Sequence, residues 1–415
     1  MGRLEEVRIY ISPCGLGLGH VGRCLPIAEE LRRRGAEILF STYQEGLEYL
    51  KKGGFPVVSA PSMRMEVLEG RIDLKMSSVK GGLKAPPRFL NQVRVELENM
   101  RRFEPEIVIS DTRLSSIFAA RLLGLPSTSI LNQFQPIVPR SKRNFNLSKI
   151  ADGVLLTLIG GGWALSDIIL IPDFPEPYTI SLDLLRIPKR HRNLVRFVGP
   201  ILPKRPEECE GTVDLPGVDK GRHLILASIS GPEKERIPLI SKLIPILKEF
   251  PGDYRILLSM GMPRLDTRPR TYGPLTILPW LPDRFRYLKA CDAVISRAGH
   301  GTVLQNLCYG KPQILIPTPG HTEQYANARR AKELGIAEAL HQRDITRDNL
   351  LRAVERVIEL GIYGERIREI TSKSPGDGVS NTIKAIEELL GRGPMRGVTE
   401  PSTSACRVHP HPNMV

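Results

Sequence analysis

The segment Pro13–Cys24, PCGLGLGHVGRC, sets four glycines and a histidine between an apolar run and a helical pattern. A histidine where a helix begins meets the positive end of the macrodipole, which disfavours the imidazolium and keeps the ring neutral. Neutral imidazole is a usable general base at pH 7. His20 is therefore a candidate base, with Gly17 and Gly19 clearing space for an acceptor. Asp111 closes the run VISD. Strand carboxyl ends converge on one crevice in a doubly wound sheet, so Asp111 can orient His20 through the second ring nitrogen. Plainer roles fit the same residues: a histidine bonded to the loop backbone, and an aspartate capping the next helix. The glycines also offer a rival chemistry. Gly17, Gly19 and Gly22 fit G-x-G-x-x-G, the dinucleotide fingerprint of an NAD(P)-dependent oxidoreductase. That fingerprint expects an acid at the end of the second strand, where Ser41 and Thr42 stand, and it gives His20 no task.

The second half repeats the theme. In ASISGPEKE, Ser230 reads as an N-cap with Glu233 three residues on and Pro232 in the first turn, and Gly231 leaves room for a phosphate at the helix start. Capping alone explains the same residues. SRAGHGT (Ser296–Thr302) follows the apolar run DAVIS and opens a helix at Thr302, so free N–H groups near Gly299 and Gly301 suit a diphosphate. Further on, PTPGHTEQYANA places Glu323 and Gln324 in the first turn of another helix. A carboxylate and an amide together read hydroxyls; a glutamate there also compensates the helix dipole.

These residues must be positioned by something, and the pattern says what. Short apolar runs ending in Gly, Ser or Asp alternate with helical periodicity, the signature of a parallel α/β architecture. Val7–Ser12, Glu37–Thr42, Phe55–Ala60 and Glu106–Asp111 read as strands of a first doubly wound sheet, with helices over 19–34, 45–52 and 88–103 and with Asp167–Pro172 as its last strand. HLILASI, Tyr254–Met260, Leu275–Trp280, Asp292–Ser296 and Gln313–Pro317 make a second sheet, with a helix over 233–250. The expected division is an N-terminal domain over 1–195, a Pro- and charge-rich linker over 196–216, a C-terminal domain over 217–378, a closing helix over 379–391, and a disordered tail over 392–415 holding His409 and His411.

At 415 residues, with 41% apolar and 25% charged side chains, the chain has the composition of two large folded domains. A net charge of +14 favours phosphate-bearing partners, whether nucleic acid, anionic lipid or nucleotide. The positive charge is locally dense: Lys75–Arg102 holds seven basic and two acidic residues, and Arg140–Lys149 four basic and none acidic. Leu74, Met76, Val79, Leu83 and Phe89 lie among the first set, a mixture suited to a headgroup interface. The six cysteines form no CxxC pair, so neither a zinc cluster nor a disulfide framework is indicated, and a cytoplasmic location is expected. The first residues carry too few apolar side chains for a signal peptide.

Together GLGLGH after the first strand, PWLPD, SRAGHGT and PTPGHTEQYANA resemble the two-domain GT-B glycosyltransferases of the MurG and UDP-glycosyltransferase superfamily, over residues 7 to 390; GLGLGHVGR with HTEQ is similar to the archaeal MurG-like branch. The resemblance implies two Rossmann-like domains facing a central crevice. It implies that His20 activates the acceptor hydroxyl, that Trp280 or the Leu281 backbone holds uracil, that Ser230, Gly299, Gly301 and Thr302 hold the diphosphate, and that Glu323 and Gln324 hold the sugar. One departure stands out: the family's usual ribose-binding Glu, three residues after the Thr position, is Gln305 here. The implied reaction is an inverting, metal-independent transfer of a sugar, N-acetylglucosamine, from a UDP-sugar, with no cofactor and no DxD motif. Some members of that branch extend lipid-linked sugars, so the implied partners are a UDP-sugar, a polyprenyl-diphosphate-linked acceptor and an anionic membrane surface on the cytoplasmic side, with no nucleic acid.

Overall fold

The computed structural model describes residues 4–62, 67–68, 71–72, 85–134, 159–209, 221–262, 268–281 and 283–391. Lys75, Lys80 and Lys84 with Leu74, Met76, Val79 and Leu83, the Arg140–Lys149 cluster and the tail from residue 392 lie outside the described residues, as does the end of the expected linker from residue 210; Phe89 is described, its ring edge-on to Phe118.

The first sheet comprises β1 (Arg8–Pro13), β2 (Glu37–Thr42), β3 (Val57–Ser59), β6 (Ile107–Asp111), β7 (Ser127–Ile130), β8 (Ile168–Ile171) and β9 (Val195–Phe197), while β4 (Val67–Leu68) and β5 (Arg71–Ile72) pair separately. Their order is β3-β2-β1-β6-β7-β8-β9, with every neighbour parallel. The second sheet runs β12-β13-β11-β10-β14-β15-β16, from β10 (His223–Ser228), β11 (Tyr254–Ser259), β12 (Arg270–Tyr272), β13 (Leu275–Leu278), β14 (Ala293–Ser296), β15 (Gln313–Leu315) and β16 (Ala337–Ala339). Only β12 is antiparallel there. Helices cover both faces, so the central strands are buried throughout and read as unbroken apolar runs. Among the described residues no helix is long and apolar enough to cross a membrane.

Strand order reverses next to β1 in one sheet and next to β10 in the other. The reversal leaves a crevice beyond the carboxyl ends of the strands, where ligands of such sheets bind. Register places Pro13 opposite Asp111 and Ser228 opposite Ser296, so the loops carrying the candidate residues leave adjacent strands at the same height.

Three features depart from the expected organisation. β8 is not the last strand of the first sheet: Val195–Phe197 pairs with it, inside what reads as the start of the linker. β7, with the sequence STSI, lies between β6 and β8 although it has no apolar run. Its polar side chains are satisfied internally, Thr128 Oγ1 donating to Ile168 O at 3.1 Å and Ser129 Oγ meeting Ser166 Oγ at 2.6 Å. Finally, the chain between β8 and β9 leaves the first domain. Phe174 and Ile180 enter the core formed by Val303, Leu304, Leu315 and Ile336, and Arg330 donates to the carbonyls of Pro177 and Thr179. This strap ties the domains together from within. The helix Gly378–Gly391 makes the reciprocal crossing: Ile383, Ile386 and Leu389 pack with Leu31 and Val198, and Glu387 and Glu388 pair with Arg34 and Arg196.

Behind β1 and β2 lies a buried polar network. Arg113 pairs with Glu96, and Tyr10 Oη and Ser41 Oγ donate to the same carboxylate at 2.6 and 2.9 Å. Arg113 also donates to Ser41 O at 2.8 Å. Removing one member of such a pair strands the other's charge, so Glu96→Ala is expected to lower stability by about 3–5 kcal/mol in denaturant unfolding. Glu96→Leu combined with Arg113→Met should cost distinctly less. A Glu96→Ala loss under about 1 kcal/mol would show the network to be dispensable.

Candidate active site

His20 is the second residue of the helix Gly19–Arg33. Its Nδ1 lies 2.7 Å from Asp111 Oδ1, at the end of β6. The Asp111 carboxylate is fully buried, while about a quarter of the His20 side chain remains exposed. Burial alone would push the Asp111 carboxyl upward, but the charges of Arg23 and His20, with their hydrogen bonds, hold it well below the usual carboxylate range. Arg23 grips both oxygens, through Nε and a terminal nitrogen. Thr112 Oγ1 donates to Asp111 Oδ1 at 3.0 Å from a backbone at φ 59°, a left-handed conformation costly for a β-branched residue. That turn aims the carboxylate at the first helix.

An ionised Asp111 only accepts hydrogen bonds, so the shorter contact of Nδ1, 2.7 Å to Asp111 Oδ1 against 3.2 Å to the Arg23 guanidinium, assigns the proton to the bond with Asp111. His20 Nε2 then keeps its lone pair for a substrate. The loop in front is shaped by glycine at two points. Gly17 has φ 68°, and a Cβ on Gly15 would meet the Tyr43 carbonyl oxygen at 1.9 Å.

The same loop disposes of the dinucleotide fingerprint. Its third glycine exists to let helix and strand pack closely, yet a Cβ on Gly22 would meet nothing within 4 Å, and none on Gly19 either. At the end of β2 the Ser41 and Thr42 hydroxyls are spent on Glu96 and on Pro13 O. No acid stands there to bind a ribose.

Arg23 and Asn132 escaped the sequence reading, and they connect the pair to the other domain. Arg23 reaches Asn132 Oδ1 at 3.3 Å, and Asn132 Nδ2 donates to Glu323 Oε1 at 2.8 Å. His20, Asp111, Arg23, Asn132 and Glu323 thus form one chain of contacts across the crevice. Arg23 was findable, since it falls three residues after His20 and so on the same helix face. Asn132 follows β7, the strand without an apolar signal.

On the C-terminal side the residues stand on separate loops. Ser230 is not the N-cap: the helix Glu233–Lys248 is preceded by Pro232 with no side-chain cap, because Gly231 at φ 110° and the proline turn the chain two residues later. Ser230 is left exposed. The helix expected from Thr302 begins at His300, with Gly299 as its cap residue and no side chain capping its N–H groups. A Cβ on Gly301 would meet nothing within 4 Å, so the approach to that first turn is open. His300 itself turns inward, its Nε2 2.9 Å from Asp173 Oδ2 on the strap, with 3% of the side chain exposed. Trp280 is 40% exposed, whereas the Leu281 side chain is buried with Leu278 and Tyr287, which leaves only its backbone for a ligand. Gln305 is buried and accepts a hydrogen bond from Arg284. In the helix Thr322–Glu333, capped by His321, Gln324 Oε1 accepts from Thr318 N at 2.8 Å and so shapes its own loop. Among the described residues no three His, Cys, Asp or Glu side chains gather as metal ligands.

Comparison with known proteins agrees with this geometry. Residues 238–363 match the glycosyltransferase family 28 C-terminal domain, and residues 7–154 match glycosyl transferase family 1. The chain is 30% identical to an uncharacterized glycosyltransferase of Methanosarcina mazei, over 92% of this chain and 98% of that one. It is 26% identical, over 92% and 99%, to the UDP-N-acetylglucosamine–N-acetylmuramyl-(pentapeptide) pyrophosphoryl-undecaprenol N-acetylglucosamine transferase of Bacillus licheniformis. The calicheamicin glycosyltransferase CalG4 superposes with a TM-score of 0.67 at 18% identity, over 94% of this chain and 99% of that one, which shows the fold. With two parallel sheets facing across a crevice and both family domains in order, the chain belongs to the GT-B glycosyltransferases of the MurG and UDP-glycosyltransferase superfamily.

Proposed function

We propose that this glycosyltransferase moves N-acetylglucosamine from its UDP-sugar to an acceptor hydroxyl with inversion and without a metal ion. The observation that carries the reading is the His20–Asp111 pair, whose buried carboxylate holds Nδ1 while the ring stays a quarter exposed and Nε2 has no partner among the described residues. In this scheme Nε2 takes the hydroxyl proton as the acceptor oxygen forms its bond to the sugar C1. The bond from C1 to the phosphate oxygen breaks, and its electron pair leaves with UDP. Asp111 stabilises the imidazolium so formed. The uncapped first turn of the helix His300–Cys308, with Gly299, Gly301 and Thr302, meets the charge growing on the diphosphate, with Ser230 and Gly231 on the loop after β10. Trp280 and the Leu281 backbone are assigned to the base, Gln305 to the ribose, and Glu323 with Gln324 to the sugar. The family 28 match and the donor named for the Bacillus licheniformis relative support this donor.

His20→Ala should lower kcat by about 100-fold or more with donor affinity unchanged, because the donor is bound by the other domain. Asp111→Asn should show a smaller loss of the same kind. Wild-type turnover in His20→Ala would remove this residue from the chemistry.

A second expectation separates sugar from nucleotide. At a hundred times its Kd, a ligand adds about 2.7 kcal/mol of stability, which a thermal shift reads directly. Glu323→Ala should reduce the shift given by UDP-N-acetylglucosamine and leave that given by UDP intact; equal losses would refute the assignment.

For the acceptor, we propose a polyprenyl-diphosphate-linked sugar reached at an anionic membrane surface. The dense positive charge of Lys75–Arg102 and the lipid-linked acceptor named for the Bacillus licheniformis relative support it. Each Lys or Arg near such a surface contributes about 1 kcal/mol, screened by salt. Co-sedimentation with anionic vesicles should therefore fall as salt rises, and should drop when Lys75, Lys80, Lys84 and Arg88 are neutralised together. Transfer to a water-soluble acceptor with no vesicle binding at low salt would overturn the lipid-linked reading.

A further inference from the structure

Arg284 opens the helix Arg284–Ala290, just beyond the Trp280–Leu281 loop, and reaches the second turn of the helix His300–Cys308. There it donates to Gln305 Oε1, and its guanidinium lies 4.8 Å from the centre of the Phe285 ring. Among the described residues no carboxylate pairs with it. Burial lowers its pKa below the ordinary arginine value, opposed only by the phenols of Tyr309 and Tyr49.

This pair sits where the proposed donor site needs a ribose contact, and its polar economy differs from that of a carboxylate. A buried carboxylate that accepts both ribose hydroxyls loses a charge-assisted hydrogen bond when the 2′-hydroxyl is missing, and is left partly unpaired. Sites built in that way reject the analogue lacking the hydroxyl strongly. Gln305 is neutral, and its carbonyl is already satisfied from within the protein. Removing the 2′-hydroxyl from a ligand strands no charge here. The remaining N–H groups of Arg284 can serve the 3′-oxygen or the diphosphate, groups that ribo- and deoxyribonucleotides share.

We propose that the Arg284–Gln305 pair makes the chain indifferent to the 2′-hydroxyl of its donor, so that sugars carried on 2′-deoxynucleoside diphosphates are substrates alongside those on ribonucleoside diphosphates. The inference rests on the donor site described above, with Gln305 at the ribose. The test is a competition titration of the full chain with UDP and 2′-deoxy-UDP. The two Kd values should agree within about 5-fold in the wild type, and Gln305→Glu should widen the ratio to about 10-fold or more in favour of UDP. Arg284→Ala should weaken both nucleotides alike. A wild-type preference for UDP of about 30-fold or greater, or a ratio unmoved by Gln305→Glu, would overturn the proposal while leaving the donor site in place. Failure of the wild type to bind either nucleotide would overturn the donor site itself, and this inference with it.

Discussion

A carboxylate with no exposed surface has to be paid for by its neighbours, and at Asp111 that requirement organises the acceptor side of the molecule. Arg23 supplies the opposing charge, and His20 and Thr112 add hydrogen bonds; with Arg23 absent, the carboxyl would tend to protonate and lose its hold on Nδ1. The loop that presents Asp111 is pinned from both ends. Ser110 Oγ donates to Arg113 O at 2.7 Å and accepts from Arg113 N at 3.2 Å, while the Arg113 side chain points away into the Glu96 network. One buried ion pair thus holds the turn, and a second, two residues earlier, uses it.

The same device occurs a second time with a different outcome. Asp173, at the start of the strap, accepts from the backbone N–H groups of Phe174, Ile180 and Ser181, from the Ser181 hydroxyl, and from His300. Both histidines open helices, and both bond a fully buried aspartate. His20 keeps part of its ring at the crevice, whereas His300 is sealed between the domains. Side-chain exposure separates the two: the proposed base keeps a quarter of its surface open, and the strut keeps almost none. Through His300, the strap also fixes the helix assigned to the diphosphate relative to the sheet that carries the base.

Most of the fold was legible because parallel strands covered on both faces must be apolar along their whole length. Glu37–Thr42 is read to the residue, and the runs ending in Asp111 and Ser296 to within one. The missed pieces share a cause: their stability comes from contacts that no local pattern announces. STSI is a central strand whose hydroxyls bond Ile168 O and Ser166, Val195–Phe197 is three residues long with an arginine at its centre, and the strap's Phe174 and Ile180 find their apolar partners more than a hundred residues away. Site legibility followed the same division. Gly17, His20, Gly299 and Glu323 stand out as candidates because a strand-to-helix turn constrains residue type, and the structure places each of them at such a turn. Asn132 carries no such signal, since its contacts are with Arg23 and Glu323, residues distant in sequence, and Arg23 is marked only by its spacing from His20.

The glycine pattern shows why site geometry must decide between chemistries that share a fold. G-x-G-x-x-G occurs here after a first strand, in a doubly wound sheet, at the point where strand order reverses, and every feature of that setting suits a dinucleotide. The distinction lies in what surrounds the glycines. A Cβ at Gly19 or Gly22 would meet no packed strand, and the end of β2 offers hydroxyls already bonded inward. The residue that the fingerprint leaves idle, His20, is the one that the buried carboxylate orients. The proposed role for His20 gives that space a use that the fingerprint does not: room for the hydroxyl to be deprotonated.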